Sequence, residues 1–328
     1  MSNSVEIVQA LVSPCEKLID AVQTAIGKAY EPRYVKKMAD AKAHEIAVIG
    51  NAIRESCDIP ISYDKNNISM ATTDWEQFVN RTQSRLAFQE LKKQENIEAV
   101  IGQAYHALES EASVSSTPID PDWMSRFFNS VENVSTEEMR RFWSKILVGE
   151  TKSPGVVSMR TLAVVQNMSK DEALLFEKIL PFVLEARQND YFLFRDIRIL
   201  RKNDVSLRDI LILQECGLVM ANNDVAASFS ASENEEELMR SFRTKKYIVR
   251  LSTPEEERQH IAVPGYPLTN TGIELANILC VPSDENYIFD AAQKIAQKAG
   301  VVATVHKFYG RSGLEVFFDS DVLAKYSG

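Results

Sequence analysis

Few side chains in this sequence are spaced for catalysis. Glu137 stands beside Glu138, and Asp171 beside Glu172, as the paired carboxylates of a general acid–base would. Both pairs also fall in the expected first turn of a helix, where acids complement the positive end of the helix dipole. His44, His106, His260 and His306 are scattered, as are Cys15, Cys57, Cys216 and Cys280, with no CxxC pair. Such spacing builds neither a zinc ligand set nor a histidine-activated nucleophile, and it fits reduced, mostly buried thiols. Lys152-Ser-Pro-Gly has neither the length nor the order of a phosphate-binding loop. Gly310-Arg-Ser-Gly has the glycines of an anion-binding nest but reads more simply as a hairpin turn. No catalytic, cofactor or metal residue is assigned, and a non-enzymatic protein without a cofactor is expected.

The stronger pattern is electrostatic. Arg195, Arg198, Arg201, Lys202 and Arg208 precede or enter one expected helix, and Arg240, Arg243, Lys245, Lys246 and Arg250 precede or enter one expected strand. Arg198, Arg201, Lys202, Arg208, Lys245 and Lys246 are the candidate nucleic-acid contacts, as a phosphate-binding strip. Against that role, the helix is mostly apolar (Ile210, Leu211, Ile212, Leu213), and Glu255, Glu256 and Glu257 would repel phosphate at the following turn. With 37 cations against 46 acids the net charge is −9, which disfavours non-specific coating of nucleic acid. A protein-contact or structural role is favoured over DNA binding. Asp122, Trp123, Arg126, Phe127, Phe128, Phe142 and Trp143 concentrate aromatic bulk; a stacking pocket is one reading, and packing of two short helices is the simpler one.

The elements that must position these residues follow from periodicity. A length of 328 residues suggests two folded domains, and 45% hydrophobic content is ordinary for globular protein. Val8 to Ile26 carries an apolar stripe at helical spacing, interrupted by Pro14 with Ser13 as candidate N-cap. A second helix is expected over 33–57, and the longest over 74–109, about 50 Å if unbroken. Ser110 to Pro121 reads as a linker. Helices then start at Asp122 and near Ser135, the second stopping near Gly149, followed by helices over 158–167 and 170–188. From Tyr191 the pattern shifts: strands at Tyr191–Phe194, Ile197–Leu200, Lys246–Ser252 and His260–Val263, helices over 206–217, from Thr269 and over 288–298, and strands at 301–309 and 314–318. The acidic stretch 221–241 is expected to be a loop.

The expected fold is mainly α with a C-terminal α+β part. It has a long-helix region over 1–110, a helical motif domain over 122–188, and a winged-helix-like domain over 190–328, in which Thr253–Arg258 is the wing tip. No signal peptide is evident, and no stretch approaches the ~18 apolar residues of a membrane span. A soluble, cytoplasmic protein follows, membrane contact being disfavoured.

The segment STEEMRRFWSKILVGETKSPGVVSMRTLAVVQNMSKDEALLFEKI resembles a bacterial family known only as a domain of unknown function. The matching positions are Trp143, Ile146, Leu147, Gly149, Glu150, Pro154, Gly155, Ser158, Arg160, Thr161 and Leu162. AIGKAYEPRYVKKMADAKAHE, RLAFQELKKQENIE and YPLTNTGIELANI resemble it as well. The layout is loosely similar to abortive-infection proteins of the Abi-alpha type. The resemblance implies no reaction; it implies an interaction or regulatory protein, self-associating or bound to another protein, in anti-phage defence. Physically, Trp143 and Leu147 pack inside, Gly149 ends a helix, Pro154-Gly155 turns the chain and Arg160 pairs with Glu150. Trp143, Gly149, Glu150, Pro154, Gly155 and Arg160 are thus the candidate structural or partner motif.

Overall fold

Pro14 occupies the first turn of a helix, where its missing N–H costs nothing. This helix, α1 (Pro14–Ile26), follows the short strand β1 (Leu11–Val12), and Ser13 accepts the Lys17 N–H at 3.0 Å. The computed structural model describes residues 11–26, 62–64, 67–69, 72–187, 190–221, 226–230, 241–252, 260–312 and 315–328. The helix expected over 33–57, with Cys57, lies outside these. The chain divides into two units, Met1–Gly155 and Val156–Gly328.

In the first unit, β2 (Ser62–Asp64) and β3 (Asn67–Ser69) form a hairpin before α2 (Thr72–Leu108). The Ser110–Pro121 stretch contains β4 (Val114–Ser115), which pairs antiparallel with β1. Asp120 caps α3 (Pro121–Val131) by accepting the Asp122 and Trp123 N–H groups, with Pro121 in the first turn. The next helix, α4 (Glu137–Lys152), is entered from Thr136 without a side-chain cap, and it continues through Gly149 to Lys152. Gly149 therefore sits inside the helix, and its carbonyl accepts the Ser153 N–H at 3.0 Å. Phe127, Trp143, Ile146, Leu147, Val100 and Leu108 are buried where α2, α3 and α4 meet.

The second unit opens with α5 (Met159–Asn167), capped by Ser158, and α6 (Lys170–Ile179), capped by the Ser169/Glu172 capping box. The helix expected to reach 188 stops at Ile179. Pro181 cannot extend it, a 3₁₀ turn covers Leu180–Phe182, and β5 (Val183–Arg187) follows. After β6 (Asp190–Phe194) comes α7 (Ile197–Lys202), expected as a strand. Asp196 makes it a helix by accepting the Arg198 and Ile199 N–H groups at 3.0 and 3.2 Å. Next are α8 (Leu207–Glu215), β7 (Ala226–Ser230) within the expected acidic loop, β8 (Ser241–Arg243), β9 (Tyr247–Ser252) and β10 (His260–Pro267). The unit closes with α9 (Asn270–Leu279), α10 (Glu285–Ala299), β11 (Val302–Ser312), β12 (Glu315–Phe318) and β13 (Ala324–Ser327).

These strands overturn the expected fold class. Among the described residues they form one nine-stranded antiparallel sheet, ordered β12-β11-β9-β8-β5-β6-β10-β7, with β13 beside β11. Among the described residues the expected wing is not formed, because β9 and β10 do not pair; its expected tip, Thr253–Arg258, lies outside the described residues. Instead β9 lies between β8 and β11, and β10 between β6 and β7. The second unit is thus built around a large sheet rather than a winged helix. Helix α10 packs on β9, β10, β11 and β13, burying Tyr287, Ile288, Ala291, Ala292 and Ile295. Gly310, expected in a turn, lies within β11 at a bulge opposite β12.

The YPLTNTG segment is explained by close backbone packing. Thr269 Oγ1 accepts the Gly272 N–H at 3.1 Å and donates to the Gly217 carbonyl at 2.6 Å, while its own N–H reaches Leu218 O at 3.0 Å. A Cβ on Gly272 would lie 2.2 Å from that same Leu218 oxygen, a backbone atom that cannot swing aside. Gly272→Ala is expected to destabilise by about 3 kcal/mol, at the upper end of overpacking costs. Gly102→Ala, with nothing within 4 Å of the new Cβ, is the control and is expected to stabilise by about 0.5–1 kcal/mol. Thermal melts of both variants decide it; an unaffected melt for Gly272→Ala would refute the close packing.

Candidate functional site

The six proposed nucleic-acid contacts fall on two parts of the second unit. Arg198, Arg201 and Lys202 lie on α7, and Arg208 in the first turn of α8, all exposed; Lys245 and Lys246 form the turn between β8 and β9. Two are engaged by acids of α10: Lys202 Nζ reaches Asp290 Oδ2 at 2.5 Å, and Lys246 pairs with Glu285. Lys245 Nζ donates to Cys280 Sγ at 2.7 Å. Arg243, next to them in sequence, turns inward to Glu185. The strip is therefore divided, and part of its charge is neutralised internally.

The motif residues are mostly interior. Trp143, 1% exposed, meets Phe127 edge-on with ring centroids 5.5 Å apart, and Phe127 stacks on Trp123 at 5.2 Å. The aromatic cluster is a core. Glu150 is 1% exposed and accepts the Gly155 N–H at 2.6 Å, which fixes the Pro154-Gly155 turn, where Gly155 adopts φ +86°. Its charge also supports buried Lys17, whose ammonium is pushed below the ordinary lysine range by burial, with Glu150 opposing. Arg160 is exposed on α5 and lines an open groove with Asn167, Met168, Glu172, Glu215 and Cys216.

The paired carboxylates serve helix ends. Glu172 is held below the ordinary carboxylate range, chiefly by the Ser169 backbone N–H it accepts. Burial, then Glu172, pushes the Cys216 thiol up to about 11, so it is not a thiolate nucleophile at neutral pH. Cys15 and Cys216 are half-buried, whereas Cys280 is exposed, contrary to a buried thiol there. Among the described residues, no group of three His, Cys, Asp or Glu could hold a metal ion. Likewise, no described helix is long and apolar enough to cross a membrane.

Two arrangements emerge that the sequence did not single out. The first is on α2. Its C-terminal half is anchored: Asn96 donates to Glu132 O at 2.8 Å and accepts from Arg140 Nη2 at 2.7 Å, and Ile97, Val100, Ile101, Ala104 and Leu108 are buried. From Gln77 to Glu95, by contrast, no residue is buried. Phe88 is 70% and Leu91 52% exposed, and Arg81 and Arg85 carry no ion-pair partner among the described residues. Arg81, Arg85, Phe88, Leu91 and Glu95 recur at spacings of 4, 3, 3 and 4, which is one helical face.

The second arrangement is a charged seam in the sheet. Among the described residues, strands β5 and β8 share a single residue pair, Glu185 opposite Arg243, and Glu185 is also opposite Tyr191 on β6. Directly opposed residues share a face, so Tyr191, Glu185 and Arg243 form a row across three strands. Arg243 Nη2 donates to Glu185 Oε1 at 2.5 Å, and Arg311 Nη1 lies 3.5 Å from the same oxygen. Arg243 lies over the Phe308 ring at 4.6 Å, and the Tyr191 hydroxyl donates to Asn277 Oδ1 at 3.0 Å. Burial, then the Glu185 charge, raises the Tyr191 phenol above its ordinary value. A charge inside an apolar strand such as VLEAR was the available signal, hidden because that segment was read as helix.

Neither a curated protein nor a solved structure matches the chain. A family model, described as protein of unknown function DUF2806, matches residues 80–291, a span holding the α2 face, the central motif and three of the four charged or phenolic groups at the seam. The chain belongs to this family of proteins of unknown function, DUF2806.

Proposed function

We propose that the protein is a non-enzymatic interaction component that self-associates through the exposed face of α2. The observation that supports this is the symmetry of that face about Phe88. Arg81, Arg85, Leu91 and Glu95 stand at −7, −3, +3 and +7 from it. Two copies pairing antiparallel about a two-fold axis at Phe88 would set Phe88 against its equivalent. Each Arg85 would then cover a partner-copy leucine, and each Arg81 would meet a partner-copy glutamate. The face is complementary to itself in charge. Glu95 is exposed and held below the ordinary carboxylate range by Lys92, so it is available as an anion. The looser likeness of the layout to Abi-alpha proteins supports placing this assembly in bacterial anti-phage defence.

Light scattering of the purified chain tests the reading against a protomer mass of 37.0 kDa. A dimer is expected. Arg81→Glu or Glu95→Arg alone sets like charges together and is expected to weaken it at least about tenfold. The combined exchange restores the pairing and the dimer. A monomeric wild-type chain, or a double variant no better than the single ones, would overturn the proposal. Plaque counts on bacteria carrying the wild-type and Arg81→Glu forms test the defence role, with protection expected only from the first.

A further inference from the structure

Beside the Glu185–Arg243 pair lies a cavity of about 120 Å³, lined among others by Tyr191, Arg243, Thr244, Lys245, Asn277 and Ser283. Its volume is that of about four water molecules, well below the ~300–1,000 Å³ of sites for drug-sized ligands. Every polar side chain named here can donate a hydrogen bond. Glu185 also lines the cavity, as the one carboxylate among the described lining residues, while the side chains of Arg243 and Lys245 bring two positive charges to the wall. Arg311 adds a third on the same carboxylate.

Part of this donor capacity is unused. Glu185 takes one of the five N–H groups of Arg243. Arg311 Nη1 is buried and makes no hydrogen bond, its 3.5 Å approach to Glu185 giving charge attraction without bonding geometry. Asn277 uses its carbonyl oxygen on Tyr191, leaving its amide N–H₂ to donate elsewhere. An incoming oxyanion would accept charge-assisted hydrogen bonds from the Arg243 N–H groups that Glu185 does not take, while Arg311, which does not line the cavity, contributes charge alone.

We propose that this cavity binds one small oxyanion of the phosphate class, held by Arg243, Lys245 and Asn277 with Arg311 supplying positive potential behind Glu185. Glu185 orients the arginines and keeps them from repelling each other when the cavity holds only water. The anion would neutralise the remaining charge at the β5–β8 seam, where among the described residues one residue pair joins the two halves of the sheet, and so tighten the sheet.

Titration of the full-length chain with inorganic phosphate, read by calorimetry and by ³¹P line broadening, tests this. One saturable site per chain is expected, weakening as chloride rises. Lys245→Ala and Asn277→Ala alter exposed side chains and leave the buried ion cluster intact. Each is expected to weaken binding at least about tenfold, the equivalent of one charge-assisted hydrogen bond. Absence of saturable binding, or binding unchanged in both variants, would overturn the proposal. Competition by a nucleoside monophosphate as strong as by phosphate identifies the ligand as a phosphate group on a larger molecule; failure to compete identifies the free anion. The dimer test on α2 is read on different residues, so either proposal can fail alone.

Discussion

Trp143→Ala is expected to cost the first unit about 3–5 kcal/mol, the range for removing a large aromatic from a packed core. Trp143 is 1% exposed, and its neighbours Ile146 and Leu147 on α4 are fully buried. Its ring also meets Phe127 edge-on at 5.5 Å, a contact contributing about 0.5–1.5 kcal/mol beyond burial. Phe127 in turn stacks on Trp123, so truncation leaves a cavity whose walls are rings that cannot collapse easily. The measurement is selective, because the three tryptophans of the chain, Trp75, Trp123 and Trp143, all belong to the unit Met1–Gly155. Urea unfolding followed by tryptophan fluorescence therefore reports that unit, and Trp123 still supplies signal in the variant. Trp143→Phe retains most of the volume and is expected to lose less than half as much. A loss below about 1 kcal/mol for Trp143→Ala would mean the ring is not part of the core.

The residues that were legible in the sequence are those whose structure is decided within a few positions. Ser158 and Ser169 capping α5 and α6, and Thr269 capping α9, act through bonds to N–H groups three residues on, and Pro14 starts α1 through its fixed φ. The same local physics decides Ile197–Leu200, which has the pattern of a strand until the Asp196 cap is taken into account. Long-range pairing was less accessible. β9 and β10 are neighbours in sequence with a turn-like segment between them, so a hairpin was the natural reading. Their real partners, β8 with β11 and β6 with β7, are fixed by register and burial across the whole sheet. The fold class failed at that step, and with it the wing that would have carried Lys245 and Lys246.

The two arrangements found in the structure differ in the same way. The α2 face could have been read from its spacing once the burial of 96–108 and the exposure of 77–95 were known, since periodicity alone does not say which half of a long helix is covered. The seam could not. Tyr191, Glu185, Arg243 and Arg311 lie on four strands spread over more than 120 residues, and only the register of β5 against β6 and β8 aligns the first three. Arg243 was weighed as one cation of a surface strip, yet its position opposite Glu185 turns it into an interior group.

Removing Glu185 is the second large perturbation. Its side chain is 12% exposed and that of Arg243 13%, so both charges are mostly withdrawn from water. Glu185→Ala leaves Arg243 and Arg311 facing each other without their shared anion. Breaking a buried pair in this way costs about 3–5 kcal/mol, far more than loss of a surface ion pair. The cost arises from the orphaned charges rather than from the lost bond. Replacing all three groups together, as Glu185→Leu, Arg243→Met and Arg311→Met, removes the charges along with their partner, and is expected to be neutral or stabilising by a few kcal/mol. Calorimetric melts of the single and triple variants separate the two effects. A triple variant as unstable as Glu185→Ala would show that the side chains act through shape at the β5–β8 seam and not through charge. A stable triple variant that no longer binds phosphate would show that the cluster is kept for its ligand, at a cost in stability to the sheet it joins.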